Sequence, residues 1–147
     1  MPATPELTAA RTILAFDFGQ RRIGVAVGQD VTGSASPLGV IANRDGGIDH
    51  ERIAALVREW QPTGLVVGMP FHADGSDSEI QVPVKAFVGE LARYGLPVAT
   101  VDERYTSIEA ERVLKDARQA GTRGRISKEM IDAAAAVFIA ERYLASG

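Results

Sequence analysis

The sequence contains no cysteine, so disulfide bonds and thiolate metal sites are excluded. Histidine is scarce as well, with two residues in a chain of 147. No apolar run approaches the roughly 20 residues that span a bilayer, and residues 1–6 lack the basic region and apolar segment of a signal peptide. These absences predict a cytoplasmic protein that makes no contact with a membrane.

Basic residues are not in excess either, because 16 Lys and Arg stand against 19 Asp and Glu, a formal net charge of −3. Any contact with nucleic acid must therefore come from a local basic patch. The hydrophobic content of 46% is that of a globular protein, and the length fits one domain. We expect residues 1–11 to form a disordered tail and residues 12–147 to form a single domain.

The apolar segments predict an α/β fold, with a mixed five-stranded sheet flanked by helices. Residues 13–27 are typical of a hairpin, since two apolar runs flank a turn that carries glycine and arginine. Residues 37–41 follow as a third antiparallel strand. The wholly apolar segment 64–68 is typical of a parallel strand covered on both faces, and 98–101 is another apolar strand.

Helical patterns separate these last strands and continue to the C-terminus. Asp49 and Ser107 are candidate N-caps of helices in the connecting segments. Ser127 is the candidate N-cap of a final helix that reaches about Leu144. Three antiparallel strands followed by two parallel strands therefore make up the predicted sheet, and a ligand site is expected at the carboxyl ends of its parallel strands.

Three acidic residues occupy unusual places in this arrangement. Asp17 ends the first strand, Glu103 follows the last strand beside Asp102, and Asp132 lies early in the final helix. Each alone has an ordinary explanation, as a turn residue, a surface ion pair or an acid at a helix N-terminus. Together they predict carboxylates that converge on a divalent cation, and oxygen ligands favour Mg²⁺ or Mn²⁺. The choice between Glu103 and Asp102 stays open, because neighbouring strand residues point to opposite faces.

Several short segments together resemble one family. They are LAFDFG at 14–19, RIGVA at 22–26, VGMP at 67–70, DGS at 74–76, VDERYTS at 101–107 and IDAAA at 131–135. In this order, over about residues 12–144, they resemble the YqgF/RuvX family, which is similar to RuvC-type resolvases. The resemblance implies an RNase H-like nuclease domain. It also implies a divalent-metal-dependent endonuclease that matures the 5′ end of pre-16S rRNA in ribosome biogenesis or resolves Holliday junctions in DNA recombination and repair.

The resemblance also implies which residues carry the chemistry. Asp17, Glu103 and Asp132 would be catalytic residues and ligands of Mg²⁺ or Mn²⁺. RuvC-type sites often have a fourth carboxylate on the final helix, whereas here the next acid after Asp132 is Glu141. The arginines and lysine that we expect to bind nucleic acid are Arg21, Arg22, Arg104, Arg123, Arg125 and Lys128.

Other functions stay open beside this one. A non-catalytic RNA-binding module could use the same fold. Asp17-Phe18-Gly19 also resembles the first phosphate loop of sugar kinases and actin, although 147 residues leave no room for the second lobe of such a phosphotransferase. The expected partner is a structured nucleic acid, either pre-rRNA or branched DNA, and resolution of a junction would require a homodimer with two opposed sites.

Overall fold

The structure is a computed structural model that describes residues 11–44, 47–70, 81–102 and 128–146, with side chains of residues 133–145 in the last segment. Its strands are β1 Thr12–Asp17, β2 Arg22–Gln29, β3 Ser34–Arg44, β4 Gly47–Ile48, β5 Gly64–Met69 and β6 Val98–Asp102. Its helices are α1 His50–Trp60, α2 Gln81–Leu91 with a 3₁₀ turn Ala92–Tyr94 after it, and α3 Lys128–Ser146. None of these helices combines the length and apolar character needed to cross a membrane.

The described strands form one mixed sheet in the order β4-β3-β2-β1-β5-β6. β1 to β4 pair antiparallel in sequence order, whereas β5 pairs parallel with both β1 and β6. The predicted order of three antiparallel and two parallel strands is confirmed. The sheet has six strands instead of the predicted five. The additional strand, β4, has two residues, which are too few to form a detectable hydrophobic pattern.

Strand β3 extends beyond the predicted residues 37–41 at both ends. Its register on β2 shifts at a bulge, where Leu38 is the extra residue between Pro37 and Gly39. Proline can occupy a strand at such an irregularity, and Gly39 has a φ of 120°, which favours glycine. The backbone ladder with β2 thus fixes the length of this strand more than its apolar residues do.

Helices α1 and α2 cover one face of the sheet. Side chains of β1, β2, β3 and β5 meet those of α1 and α2 there, and the largest buried ones are Phe16, Phe87, Leu14, Ile23, Ile41, Ile53, Leu65 and Leu91. Phe87 of α2 makes an edge contact with Phe16, with ring centroids 5.6 Å apart, and lies 5.4 Å from Phe18. The residues on both sides of Asp17 are thereby fixed to this face.

Helix α3 covers the opposite face, where Ile13, Ala15 and Val66 pack against Ile139 and Ala140. Small residues permit a close approach, because Ala133, Ala135 and Ala136 of the helix are all buried. The sheet also contributes a small residue: a Cβ at Gly28 would lie 3.2–3.3 Å from the side chains of Ile13, Leu144 and Ala140. The predicted helix from Ser127 to about Leu144 is therefore observed in its main part as α3.

Candidate active site

Asp17 is the last residue of β1 and pairs with Gly24 of β2. Its neighbours along the chain, Phe16 and Phe18, pack into the α1–α2 core, whereas Ile13 and Ala15 face α3. Because strand residues alternate between faces, the half-buried Asp17 belongs to the α3 face. The sequence prediction of an acid at the carboxyl end of the first strand is thus observed.

Asp102 ends β6 and pairs with Met69 at the same edge of the sheet. Val98 packs into the α1–α2 core and Val101 into the α3 core, so alternation assigns Asp102 to the face opposite Asp17. Its backbone carbonyl accepts a hydrogen bond from the Arg142 guanidinium of α3. This bond ties the last helix to the end of the edge strand.

The backbone of Asp132 lies near the N-terminus of α3, on the helix that covers the face of Asp17, but its side chain lies outside the described part of the structure. Glu141 lies nine residues further along, about 14 Å at 1.5 Å per residue. That distance is too great for Glu141 to join Asp132 in one metal site. Burial raises the pKa of the Glu141 carboxyl, which no cation stabilises among the described residues.

Other predicted residues fall outside the description. Glu103, Arg104, Arg123 and Arg125 are in residues 103–127, and Lys128 is described only in its backbone. Within the described segments no group of three His, Asp or Glu side chains comes close enough to hold a metal ion. The convergence of Asp17, Glu103 and Asp132 therefore stays a prediction.

A tight turn joins Asp17 to β2. A Cβ at Gly19 would lie 2.4 Å from the carbonyl oxygen of Arg22, closer than real Cβ atoms approach. The turn is also tied to β3, because Asn43 donates its side-chain Nδ2–H to the Gly19 carbonyl at 2.9 Å and its backbone N–H to the Arg21 carbonyl at 3.0 Å. Asn43 is not evident from the sequence, since its partners are more than 20 residues away and no local pattern marks it.

Arg21 and Arg22, the two predicted phosphate ligands that the structure describes fully, line an open groove of about 1010 Å³. Arg44 and Arg52, which were not predicted, line the same groove. Arg44 ends β3 and Arg52 lies in α1, so no run of basic residues marks them in the sequence.

His50 has a structural environment that sequence alone does not indicate. Its Nδ1 lies 2.7 Å from the Tyr94 hydroxyl and its Nε2 lies 2.8 Å from Glu90 Oε1. These contacts join the first residue of α1 to the end of α2 and the 3₁₀ turn. His50 therefore has a packing role between α1, α2 and the 3₁₀ turn.

Comparisons with known proteins agree with this architecture. A protein of Burkholderia lata named a candidate pre-16S rRNA nuclease is 47% identical over 134 residues, which cover 90% of this chain and 88% of the relative. A Burkholderia multivorans protein with the same name is 45% identical over 140 residues, 93% of this chain and 92% of the relative.

Two solved structures show the fold. Thermus thermophilus RuvC in complex with Holliday junction substrate aligns with a TM-score of 0.59 and 16% identity, covering 92% of this chain and 94% of RuvC. Fowlpox virus resolvase in complex with its Holliday junction DNA aligns with a TM-score of 0.57 and 11% identity, covering 92% and 97%. The expected RNase H-like fold of RuvC-type resolvases is confirmed. The family model described as RuvX, Holliday junction resolvase, matches residues 11–146, and the chain belongs to this family.

Proposed function

We propose that the chain is an endonuclease that hydrolyses phosphodiester bonds in structured nucleic acid and depends on Mg²⁺ or Mn²⁺. The observation that carries the proposal is the placement of Asp17 at the carboxyl end of central strand β1, on the face covered by α3. The names of the relatives make pre-16S rRNA the first candidate substrate, and the family resemblance points to its 5′ end. The family description makes the Holliday junction the second.

The residues proposed to hold the metal are Asp17, Glu103 and Asp132. Asp17 and helix α3 share one face of the sheet, whereas Asp102 belongs to the other face. Since residues of a strand alternate, this supports Glu103 over Asp102 as the ligand that follows β6. Carboxylate oxygens without cysteine or histidine are the donors that Mg²⁺ and Mn²⁺ prefer.

The metal, when bound, would supply a water of lowered pKa and stabilise charge on the leaving oxygen. The residues of the chain itself hold the site in position. Phe16 and Phe18 fix the backbone on both sides of Asp17 through Phe87, and Arg142 holds α3 to the end of β6. A rigid support of this kind keeps the reacting groups at the distances and orientations that the reaction requires.

The remaining predicted arginines are proposed to bind phosphates without reading sequence. Arg104 would act beside the acids, and Arg123, Arg125 and Lys128 would contact the backbone on the approach to α3. We further propose that the chain works in the cytoplasm. If junctions are the substrate, it would act as a homodimer that cuts opposed strands.

The central test replaces Asp17 by asparagine, which keeps the shape and removes the charge. We expect cleavage of a 5′-extended 16S precursor fragment and of a four-way junction to fall by at least about 10²-fold, since even groups that only support metal ligands contribute about 10–100-fold. Glu59→Gln, a change of the same charge on the exposed surface of α1, is the matched control and should cut at the wild-type rate.

Two outcomes would count against the proposal. An Asp17→Asn protein that cuts both substrates at the wild-type rate would remove Asp17 from the reaction. A wild-type protein that binds both substrates but cuts neither with Mg²⁺ or Mn²⁺ would favour the RNA-binding module instead.

Asp102→Asn and Glu103→Gln, tested side by side, should retain and lose cleavage respectively.

A further inference from the structure

An open groove of about 1010 Å³ lies at the sheet edge where β1 ends. Four arginines line it: Arg21 and Arg22 from the first hairpin, Arg44 from the end of β3 and Arg52 from the first turns of α1. The groove is therefore built from three separate parts of the chain. Its walls come together only in the folded state.

The groove is strongly basic in a chain that is acidic overall. Four arginines and one acid, Asp49, line it, whereas the whole chain has a net charge of −3. The Asp49 carboxylate accepts a hydrogen bond from the backbone N–H of Arg52 at 3.2 Å and caps α1. Neither of the ion pairs observed in the described segments involves a groove arginine. The local charge is thus available to an anion.

The floor of the groove is fixed before any ligand arrives. Asn43, which lines it, holds the hairpin turn through the Gly19 and Arg21 carbonyls. Arg21 and Arg22 therefore extend from a turn whose backbone is anchored to β3. A preorganised backbone lowers the ordering cost of binding.

The sheet register relates this groove to the acid. Asp17 pairs with Gly24, and Arg22, two residues before Gly24, pairs with Ala42. Since alternate residues share a face, Asp17, Arg22 and Arg44 belong to the α3 face. Arg52 lies on α1, which covers the other face, so the groove crosses the end of the sheet near Asp17. From β1 to β3 is about 10 Å, or two strand spacings, which corresponds to roughly three base steps along the axis of a duplex at about 3.4 Å per step.

We infer that this groove binds the sugar-phosphate backbone of the substrate strand, a few nucleotides to one side of the bond that is cut, and that Arg44 and Arg52 are phosphate ligands. The inference rests on the proposed nuclease function for its substrate, but the groove can be tested by binding alone. Guanidinium groups pair with phosphate oxygens in a bidentate manner, and such contacts set affinity and register while leaving base identity unread.

The test measures binding of the full chain to a fluorescein-labelled four-way DNA junction and a labelled single-stranded RNA across a salt series, with EDTA present. The Arg44→Ala/Arg52→Ala double variant should bind both probes more weakly. The slope of log affinity against log salt should fall by about 1.4 for the single strand and about 1.8 for the junction, because each phosphate contact releases about 0.7 or 0.9 counterions.

The matched control is Arg58→Ala/Arg93→Ala, which removes the same charge from exposed arginines outside the groove. It should keep the wild-type slope, and Arg44→Lys/Arg52→Lys should retain most of the slope that the alanine changes remove. Circular dichroism of each variant separates a folding defect from a loss of contacts. An alanine double variant that is folded and has the wild-type affinity and slope would overturn the inference, as would an equal loss in the control.

The two proposals fail in different ways. If the groove variant loses binding while wild-type protein with Mg²⁺ or Mn²⁺ cuts neither the junction nor the 5′-extended 16S precursor fragment, the groove proposal stands and the nuclease proposal fails. If wild-type protein cuts and the groove variant binds as wild type, the nuclease proposal stands and the groove proposal fails. A wild-type protein that binds neither probe would overturn the groove proposal directly.

Discussion

Replacement of Gly19 by alanine tests whether the turn after Asp17 controls the reaction. A Cβ at this position would lie 2.4 Å from the Arg22 carbonyl oxygen, about 1 Å short of the 3.4 Å at which ordinary contact begins. The obstructing atom belongs to the backbone at the start of β2 and cannot rotate away. The turn must therefore open by a distance of that order.

The expected consequence for catalysis is large. A misplacement of about 1 Å can cost about 10²-fold in rate, which is about 2.7 kcal/mol of transition-state stabilisation. We expect Gly19→Ala to reduce single-turnover cleavage by that factor while Asp17 itself is unchanged. Because Asn43 binds the Gly19 and Arg21 carbonyls, the opening should also disturb the arginines of the turn and weaken binding of nucleic acid.

Gly89→Ala is the matched control. Gly89 lies in α2, where an added Cβ would meet nothing within 4 Å. Alanine is favoured over glycine by up to about 1 kcal/mol in a helix interior, so this variant should be more stable and should cut at the wild-type rate. A Gly19→Ala protein that retains both the wild-type rate and the wild-type affinity would refute the argument, since the turn would then tolerate the displacement.

Two further predictions concern stability. Phe87→Ala should lower the free energy of unfolding, measured in urea, by about 3–5 kcal/mol, because the ring is fully buried and contacts both Phe16 and Phe18; a loss below about 1 kcal/mol would contradict this packing. Glu141→Gln should stabilise the chain near pH 7 but not near pH 4. Burial raises the pKa of this carboxyl in the folded state, so wild-type stability declines as pH rises through that raised pKa, while the glutamine variant has no such decline. Equal thermal stability of the two proteins near pH 7 would contradict it.

The main strands and the final helix could be predicted because their residues carry strong local patterns. The apolar runs of β1 and β5 and the alanines 133–136 of α3 are contiguous in sequence and mostly buried in the fold. The length of β3 could not be predicted, since Ser34 and Ser36 are exposed and pair with β2 only through the backbone. Strand β4 also could not be predicted, since its two residues pair only with Asn43 and Arg44 at the end of β3.

The residues of the candidate site likewise differ in whether a local sequence pattern marks them. Asp17 could be found because an acid that ends an apolar strand is anomalous in the sequence itself. Asn43, Arg44 and Arg52 could not, because their importance depends on tertiary neighbours: the first hairpin for Asn43, and a shared groove for the two arginines. His50 is a similar case, since its partners Tyr94 and Glu90 are 44 and 40 residues away.

The central place of β1 has a consequence for the order of folding. Its antiparallel partner β2 follows after a short turn, and β3 adds to that pair after another, so this meander requires little loop closure. The parallel partner β5 pairs with β1 only after a long intervening segment. The hydrogen bond from the Thr63 N–H to the Thr12 carbonyl, at 2.8 Å, joins residues far apart in the sequence, and closing a longer loop costs more conformational entropy. Helix α3 comes last in the chain, so the face that carries Asp17 is covered only after the rest of the sheet exists. Local contacts form fastest, and a nascent chain truncated before α3 should therefore show a protected β1–β2 ladder in hydrogen exchange while the face that carries Asp17 stays uncovered.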